Sequence, residues 1–209
     1  MDSCGVKHTE VSKATLGRIP VYIKYLRGLS PSCKSVSATS VARELGLGEV
    51  QVRKDLAALC GGGRPRTGYV RGELLHSLEE YLARGKGDAI IVGAGKLGTA
   101  LLDYSGFADY GCEVLAAFDC KLKEPEVLPS GKTVYPMDSL GDFCREHEVG
   151  IGIIAVPASS AQSVFDTLYA NGVRNIWCFA PTRLYKPSDA LVQYENLALS
   201  LAHLKSQIV

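Results

Sequence analysis

The sequence predicts an α/β protein of two parts: an N-terminal winged-helix (helix-turn-helix) domain and a C-terminal doubly wound parallel sheet of the Rossmann type. Three observations carry this. Ser40 to Leu56 has the apolar spacing and central glycine of two short helices meeting at a tight turn. Gly93-Ala94-Gly95-Lys96-Leu97-Gly98 directly follows the apolar run Ala89-Ile90-Ile91-Val92. Between them, at Gly85-Lys86-Gly87, the hydrophobic pattern changes from helical spacing to continuous apolar runs. The expected division is 1–84 for the winged helix, 85–190 for the sheet and 191–209 for a terminal helix.

The chain has 209 residues with 46% hydrophobic side chains, enough to bury a core. The net charge of +1 looks unfavourable for a nucleic-acid binder. It conceals a split, because residues 1–86 carry net +6 and residues 87–209 net −5. Such an asymmetry suggests that the first part faces phosphate and the second does not. The longest apolar runs fall well short of the ~20 residues of a membrane span. Met1 to Glu10 is polar, unlike a signal peptide, so a cytoplasmic protein is expected. The seven cysteines (Cys4, Cys33, Cys60, Cys112, Cys120, Cys144 and Cys178) are scattered and form no C-x-x-C. That pattern fits neither a disulfide framework nor a metal site. Reduced thiols serving as small hydrophobes are the expectation, with a redox-active pair as the alternative.

The first helix starts near Ser12 and carries Leu16, Ile19, Tyr22, Ile23, Leu26 and Leu29 on one face. Pro20 falls inside it and implies a kink or a late start. Ser30-Pro31-Ser32 breaks the pattern. Ala38 to Leu45 reads as a second helix, capped by Ser37 or Ser40, and Glu49 to Leu59 as a third. Gly46 permits the left-handed backbone of the turn between them. On the third helix Val52 and Leu56 face inward, leaving Gln51, Arg53, Lys54 and Asp55 polar. A recognition helix needs such residues to meet base edges and phosphates. The loop Gly61 to Gly68, with Arg64, Arg66 and then Arg71, is placed like a wing, and Tyr69-Val70 closes it as a short strand. Leu74 to Leu82 reads as a linker helix.

Beyond the boundary, Ala89 to Val92, Val114 to Phe118, Gly150 to Val156 and Asn175 to Phe179 read as buried strands. Leu97 to Tyr104, Leu140 to His147 and Ser160 to Tyr169 read as helices among them. Alternating strands and helices give a parallel sheet. Glu195 to Ile208 carries Leu197, Leu201, Leu204 and Ile208 on one stripe, which packs on its own domain or seeks a partner chain.

The glycine motif sits where a dinucleotide loop belongs. Gly93 makes the turn, Gly95 admits the pyrophosphate to the backbone, and Gly98 lets the helix lie close to the sheet. Lys96 and Leu97 open that helix. Asp119, 21 residues after Gly98 at the end of the next strand, is placed to accept from ribose hydroxyls and to repel a 2′-phosphate. NAD(H) is therefore favoured over NADP(H). A hydride-transfer enzyme needs a positioned acid or base. His147 lies in a charged helix and His203 on the terminal one, with no supporting partner visible. No catalytic residue is assigned, and the expected role is to bind the cofactor without consuming it.

These motifs resemble the Rex redox-sensing transcriptional repressors over nearly the whole chain. The carriers are Ser12 to Thr15, Val52 to Asp55, Gly63 to Tyr69, Gly93 to Gly98, Tyr104 to Phe107, Ala117 to Asp119, Val156-Pro157-Ala158 and Phe179-Ala180-Pro181. The resemblance implies a homodimer with swapped terminal helices. It implies operator binding, at an AT-rich inverted repeat of double-stranded DNA, in the apo or NAD+ state and release by NADH. It adds Lys13 and Tyr69 to the DNA-facing residues, beside the wing arginines Arg64 and Arg66. It adds Tyr104, Val156, Pro157, Ala158, Phe179 and Ala180 to the cofactor site, with Tyr104 near the nicotinamide. The family usually has Arg at Lys24 and Asp at Asn196, a pair that with the Tyr looks like part of a switch. Lys24 and Asn196 retain at best one hydrogen bond to a point charge. The wing also departs, with Arg64-Pro65-Arg66 where basic-basic-Gly is usual. Two other readings stay open on the residues: a Rex-like regulator with weak or no NADH response, and a small NAD-dependent oxidoreductase.

Overall fold

The computed structural model describes residues 11–64, 67–84 and 87–208, the side chain of Ser200 excepted. Cys4, Arg66 and part of the predicted boundary lie outside the described residues. The chain forms two units, Met1–Arg84 and Gly85–Val209.

In the first unit α1 (Lys13–Gly28) is capped by Ser12, whose side chain accepts from Thr15 N–H, and it continues through Pro20. Ile19, Tyr22, Ile23 and Leu26 are buried, while Leu16, expected on the same face, is 37% exposed. A two-residue strand β1 (Ser35–Val36), absent from the sequence reading, precedes α2 (Ala38–Leu45). Ser37 is the N-cap and Ser40 completes a reciprocal capping box. Gly46 ends α2 at φ 65°, which a side chain would strain. Then α3 (Glu49–Cys60) buries Val52 and Leu56 as expected. Strand β2 (Tyr69–Val70) pairs antiparallel with β1, Ser35 opposite Val70. The predicted linker helix is corrected. It is α4 (Arg71–Leu82), and Leu74 and Leu78 are buried in one cluster with Ile19, Tyr22, Val41 and Val52. It is a core helix of the first unit. Arg71, expected in the wing, instead begins α4 and donates from Nε to the Leu26 carbonyl at 2.9 Å.

In the second unit β3 (Asp88–Val92) lies centrally in a seven-stranded sheet. It is followed by α5 (Lys96–Leu102), β4 (Val114–Asp119), β5 (Glu126–Val127), β6 (Thr133–Pro136), α6 (Leu140–Glu146), β7 (Val149–Ile154), α7 (Ala158–Ala170), β8 (Asn175–Cys178) and β9 (Leu191–Tyr194). The order is β5-β6-β4-β3-β7-β8-β9, and every pair is parallel except β5 with β6. Alternation along β3 builds both faces. Ile90 and Val92 pack with Leu140 of α6 and Phe165 and Leu168 of α7. Ala89 and Ile91 pack with Leu102 of α5 on the other side.

Three corrections concern this unit. The sheet has three more strands than predicted: β5, β6 and β9. The helix predicted through Tyr104 ends at Leu102, and Ser105–Tyr110 forms a 3-10 turn for which Tyr104 is the cap. The predicted division at 190/191 cuts the sheet, because Leu191–Tyr194 is its edge strand, paired parallel with β8. The terminal helix is the shorter α8 (Leu197–Ser206). Its Leu197, Leu199, Leu201 and Leu204 are each more than 60% exposed.

Candidate functional site

From β3 the chain runs to β4 on one side, and β7 lies on the other. The crevice beyond the carboxyl ends of such diverging strands is where doubly wound sheets hold ligands. The loops after β3, β4, β7 and β8 meet there. Gly93 N–H donates to Phe118 O at 2.8 Å, Ala155 N–H to Val92 O at 2.9 Å and Phe179 N–H to Ile154 O at 2.9 Å.

The three glycines of the motif separate by what surrounds them. At Gly93, φ is 104° and a Cβ would lie 2.6 Å from Ala155 O. At Gly98 a Cβ would lie 1.8 Å from the Gly93 carbonyl oxygen. The protein's own packing therefore requires both. Gly95 has an ordinary φ of −73°, and a Cβ there would meet nothing within 4 Å. Nothing inside the protein requires a glycine at 95. Gly95 is also the N-cap of α5 with no capping side chain, and Lys96 and Leu97 are exposed beside it.

Asp119 holds the loop from below. Its Oδ2 accepts from Ala94 N–H at 2.8 Å and its Oδ1 from Lys121 N–H at 2.9 Å. The expected ribose acceptor is therefore also the clamp of the glycine loop, with a lone pair left on each oxygen. Val156 packs against Gly93, and Pro157 is the N-cap of α7. Ala180 is buried in the core, so its side chain is structural. Tyr104 is 60% exposed, and its ring covers the backbone of Gly106. It begins an aromatic row: Tyr104 edge-on to Phe107 at 5.0 Å, Phe107 edge-on to Trp177 at 5.9 Å, then Trp177 tilted against Phe179 at 4.6 Å. Phe107 and Trp177 were not picked out as site residues. The lone Trp on a predicted strand two residues before Phe179 was the available signal.

In the first unit Lys13, Gln51, Arg53, Lys54 and Arg64 are exposed. An open groove of about 620 Å³ lies between the starts of α1 and α3, lined by Ser12, Thr15, Val50, Gln51 and Lys54. Arg53 pairs with Glu49 one turn earlier on α3. The base of the wing is closed by two backbone bonds between Arg64 and Gly68, of 2.8 and 2.9 Å. Tyr69 is half-buried, wedged under Gly63, where a Cβ would lie 2.9 Å from its ring. It props the loop. Burial raises its phenol pKa above the usual value.

Asp55 requires a correction, because it is not part of the polar recognition face. It is 5% exposed and receives Arg18 Nε at 2.7 Å, Arg18 Nη2 at 3.0 Å, Tyr22 Oη at 2.7 Å and Thr15 Oγ1 at 3.0 Å. Burial opposes its charge, but the bonds from Arg18, Tyr22 and Thr15 outweigh that and lower its pKa below the ordinary carboxylate value. Arg18 was missed. Its spacing from Thr15 and Tyr22 places all three on one side of α1, a polar line beside the apolar stripe.

Asn196 caps α8, its side chain accepting from Leu199 N–H at 3.0 Å. An Asp there would cap equally well, so Asn keeps the cap and omits the charge. Lys24 is exposed on α1. The six cysteines described are free thiols. Burial pushes the Cys60 thiol up to about 11 and raises Cys112, Cys144 and Cys178, which suits packing groups. Among the described residues no cluster could hold a metal ion, and no helix is long and apolar enough to cross a membrane.

A helix-turn-helix unit with an exposed cationic face, joined to a doubly wound unit with a nucleotide loop, defines a class: regulators that couple DNA to a bound nucleotide. The comparisons specify the family. Residues 10–57 match the model of a putative DNA-binding protein N-terminus and residues 85–182 that of a CoA binding domain. The Rex redox-sensing transcriptional repressor of Porphyromonas gingivalis is 35% identical over 95% of this chain and 94% of its own. That of Carboxydothermus hydrogenoformans is 37% identical over 94% and 95%. RSP, solved in complex with β-NAD+ and operator DNA, matches with TM-score 0.77 at 30% identity, over 96% of this chain and 93% of RSP. RSP with β-NADH matches with TM-score 0.67. The chain belongs to the Rex family of redox-sensing transcriptional repressors.

Proposed function

We propose that this chain is a DNA-binding repressor that senses the NADH/NAD+ ratio, holding its operator in the apo or NAD+ state and releasing it with NADH. The single observation that carries the nucleotide half is Gly95, a glycine that no neighbour in the protein requires. A CoA binding model covers the same unit, and CoA and NAD share an adenosine joined to a pyrophosphate. Asp119 favours NAD(H), since a carboxylate at the adenosine ribose is poorly matched to a phosphorylated ribose. Gly93 to Gly98, Asp119 and the Val156-Pro157-Ala158 loop would hold the dinucleotide. Tyr104 and its aromatic row would face the nicotinamide. The relatives are named as repressors, and this chain in turn reads the cofactor rather than turning it over.

Lys13, Gln51, Arg53, Lys54 and the wing arginines Arg64 and Arg66 would face double-stranded DNA, with an AT-rich inverted repeat as the operator. The cell interior is where that partner lies. The exposed leucines of α8 support a homodimer in which these helices are exchanged, since an apolar stripe of that kind is normally covered. A dimer converts a change of nucleotide into a change of half-site spacing. NADH acts only through its different affinity for the two dimer states.

A gel shift on an AT-rich inverted repeat tests the function, with NAD+ or NADH titrated at fixed operator. Release by NADH but not NAD+ is expected. Lys24 and Asn196 in place of a bidentate pair predict a weaker response than the family's usual one. Full release at micromolar NADH would remove that qualification, and no release at any NADH concentration would sink the sensing role. Arg53→Ala and Lys54→Ala are each expected to weaken binding and to reduce the slope of log affinity against log salt by about 0.9. An unchanged slope in both would show that α3 does not lie along the phosphates.

A further inference from the structure

The guanidinium of Arg18 has two usable edges, and both are engaged with α3. Its side edge, Nε and Nη2, grips Asp55 at 2.7 and 3.0 Å. Its end edge faces Gln51. With its oxygen turned toward Arg18, the Gln51 amide accepts from Nη1 at 2.9 Å and from Nη2 at 3.1 Å. Asp55 is itself fixed by Tyr22 and Thr15, both buried, so the carboxylate that holds the guanidinium is held in its turn.

We infer that Arg18 sets the base-reading chemistry of Gln51, holding the amide oxygen inward so that only its N–H groups are offered to the major groove. The inference rests on the DNA-binding reading above. A free glutamine reads adenine through both ends of its amide, donating to N7 and accepting from the N6 amino group. Gln51 has given up its acceptor. A donor alone suits purine N7, guanine O6 or thymine O4, and it gains nothing from the amino groups of adenine and cytosine. Arg18 is thus a positioning residue for specificity, though it need touch no base itself. The planar fork is essential, because lysine offers one point of attachment and cannot serve both edges.

The test uses the full chain and a duplex that it selects from a randomised DNA pool. Gln51→Ala first identifies the base pair whose preference it erases. At that pair in the wild type, removing the acceptor (for example a 7-deazapurine in place of the purine) should weaken binding about three- to tenfold, the share of one hydrogen bond. Removing the adenine N6 amino group should leave binding unchanged. Arg18→Lys keeps a cation beside Asp55 and frees the amide, so sensitivity to the N6 amino group should appear. The wild-type measurements stand even if Arg18→Lys fails to fold. Equal losses on removing N6 and N7 in the wild type would overturn the inference, as would a Gln51→Ala variant with unaltered base preference. A folded Arg18→Lys variant still indifferent to N6 would overturn the role of Arg18. Failure to enrich any duplex would instead overturn the DNA-binding reading on which this rests.

Discussion

Gly95→Val is expected to weaken NADH binding by at least roughly a hundredfold, about 2.8 kcal/mol, while the second unit stays folded. The reasoning is one of exclusion. A side chain at 95 meets no protein atom within 4 Å, and its φ of −73° suits any residue. The cost to the protein is limited to a poorer N-cap for α5, about 1 kcal/mol. The cost to the ligand is the whole approach of a pyrophosphate to the backbone N–H groups. Gly98→Val is the contrast. Its Cβ would start 1.8 Å from the Gly93 carbonyl oxygen, so backbone must move and the unit itself should be destabilised. Thermal unfolding and NADH titration of both variants separate the two effects. Gly95→Val protein that binds NADH within about threefold of wild type, a shift of only about 0.7 kcal/mol, would remove the site from this loop.

The same comparison shows what the sequence could and could not convey. Gly46 and Gly93 sit at positive φ in turns, and local sequence announces such positions. Long apolar runs announce β3, β4, β7 and β8. Strands β1, β5, β6 and β9 are not announced. Two of them are two residues long, and β9 alternates exposed and half-buried residues at the sheet edge. Their existence depends on the neighbour they pair with. Helix α4 looked like a spacer because its period is the same whether Leu74 and Leu78 meet other helices or solvent. Asp119 was readable as the carboxylate that ends the next strand, but its bond to Ala94 crosses 25 residues and has no trace in spacing. The aromatic row was partly legible. Tyr104, Phe107 and Phe179 lie in family motifs, whereas Trp177 lies in none and meets Phe107 only through the fold.

Asp55→Ala is expected to destabilise the first unit by about 3–5 kcal/mol, a large share of what a small domain possesses. On the sequence alone Asp55 looked like one more surface charge beside Lys54. In the fold it gathers Arg18, Tyr22 and Thr15, and its removal leaves a largely buried guanidinium and a buried phenol without an acceptor. DNA affinity should fall with it, because the bonds that Asp55 accepts are what tie α3 to α1. A double variant separates lost attraction from stranded charge: Arg18→Met with Asp55→Ala should cost clearly less than the two single changes together. The acid dependence has a definite sign. The folded pKa of Asp55 lies below its ordinary value near 3.8. Its contribution is therefore complete above about pH 4 and is lost as pH falls through the lowered folded value. Urea unfolding at pH 7 and pH 3 should show the gap between wild type and Asp55→Ala narrowing at the acid end. A gap that is constant with pH, or a loss below about 1 kcal/mol at pH 7, would mean that the packing of Leu56 and Val52, rather than this carboxylate, seats the recognition helix.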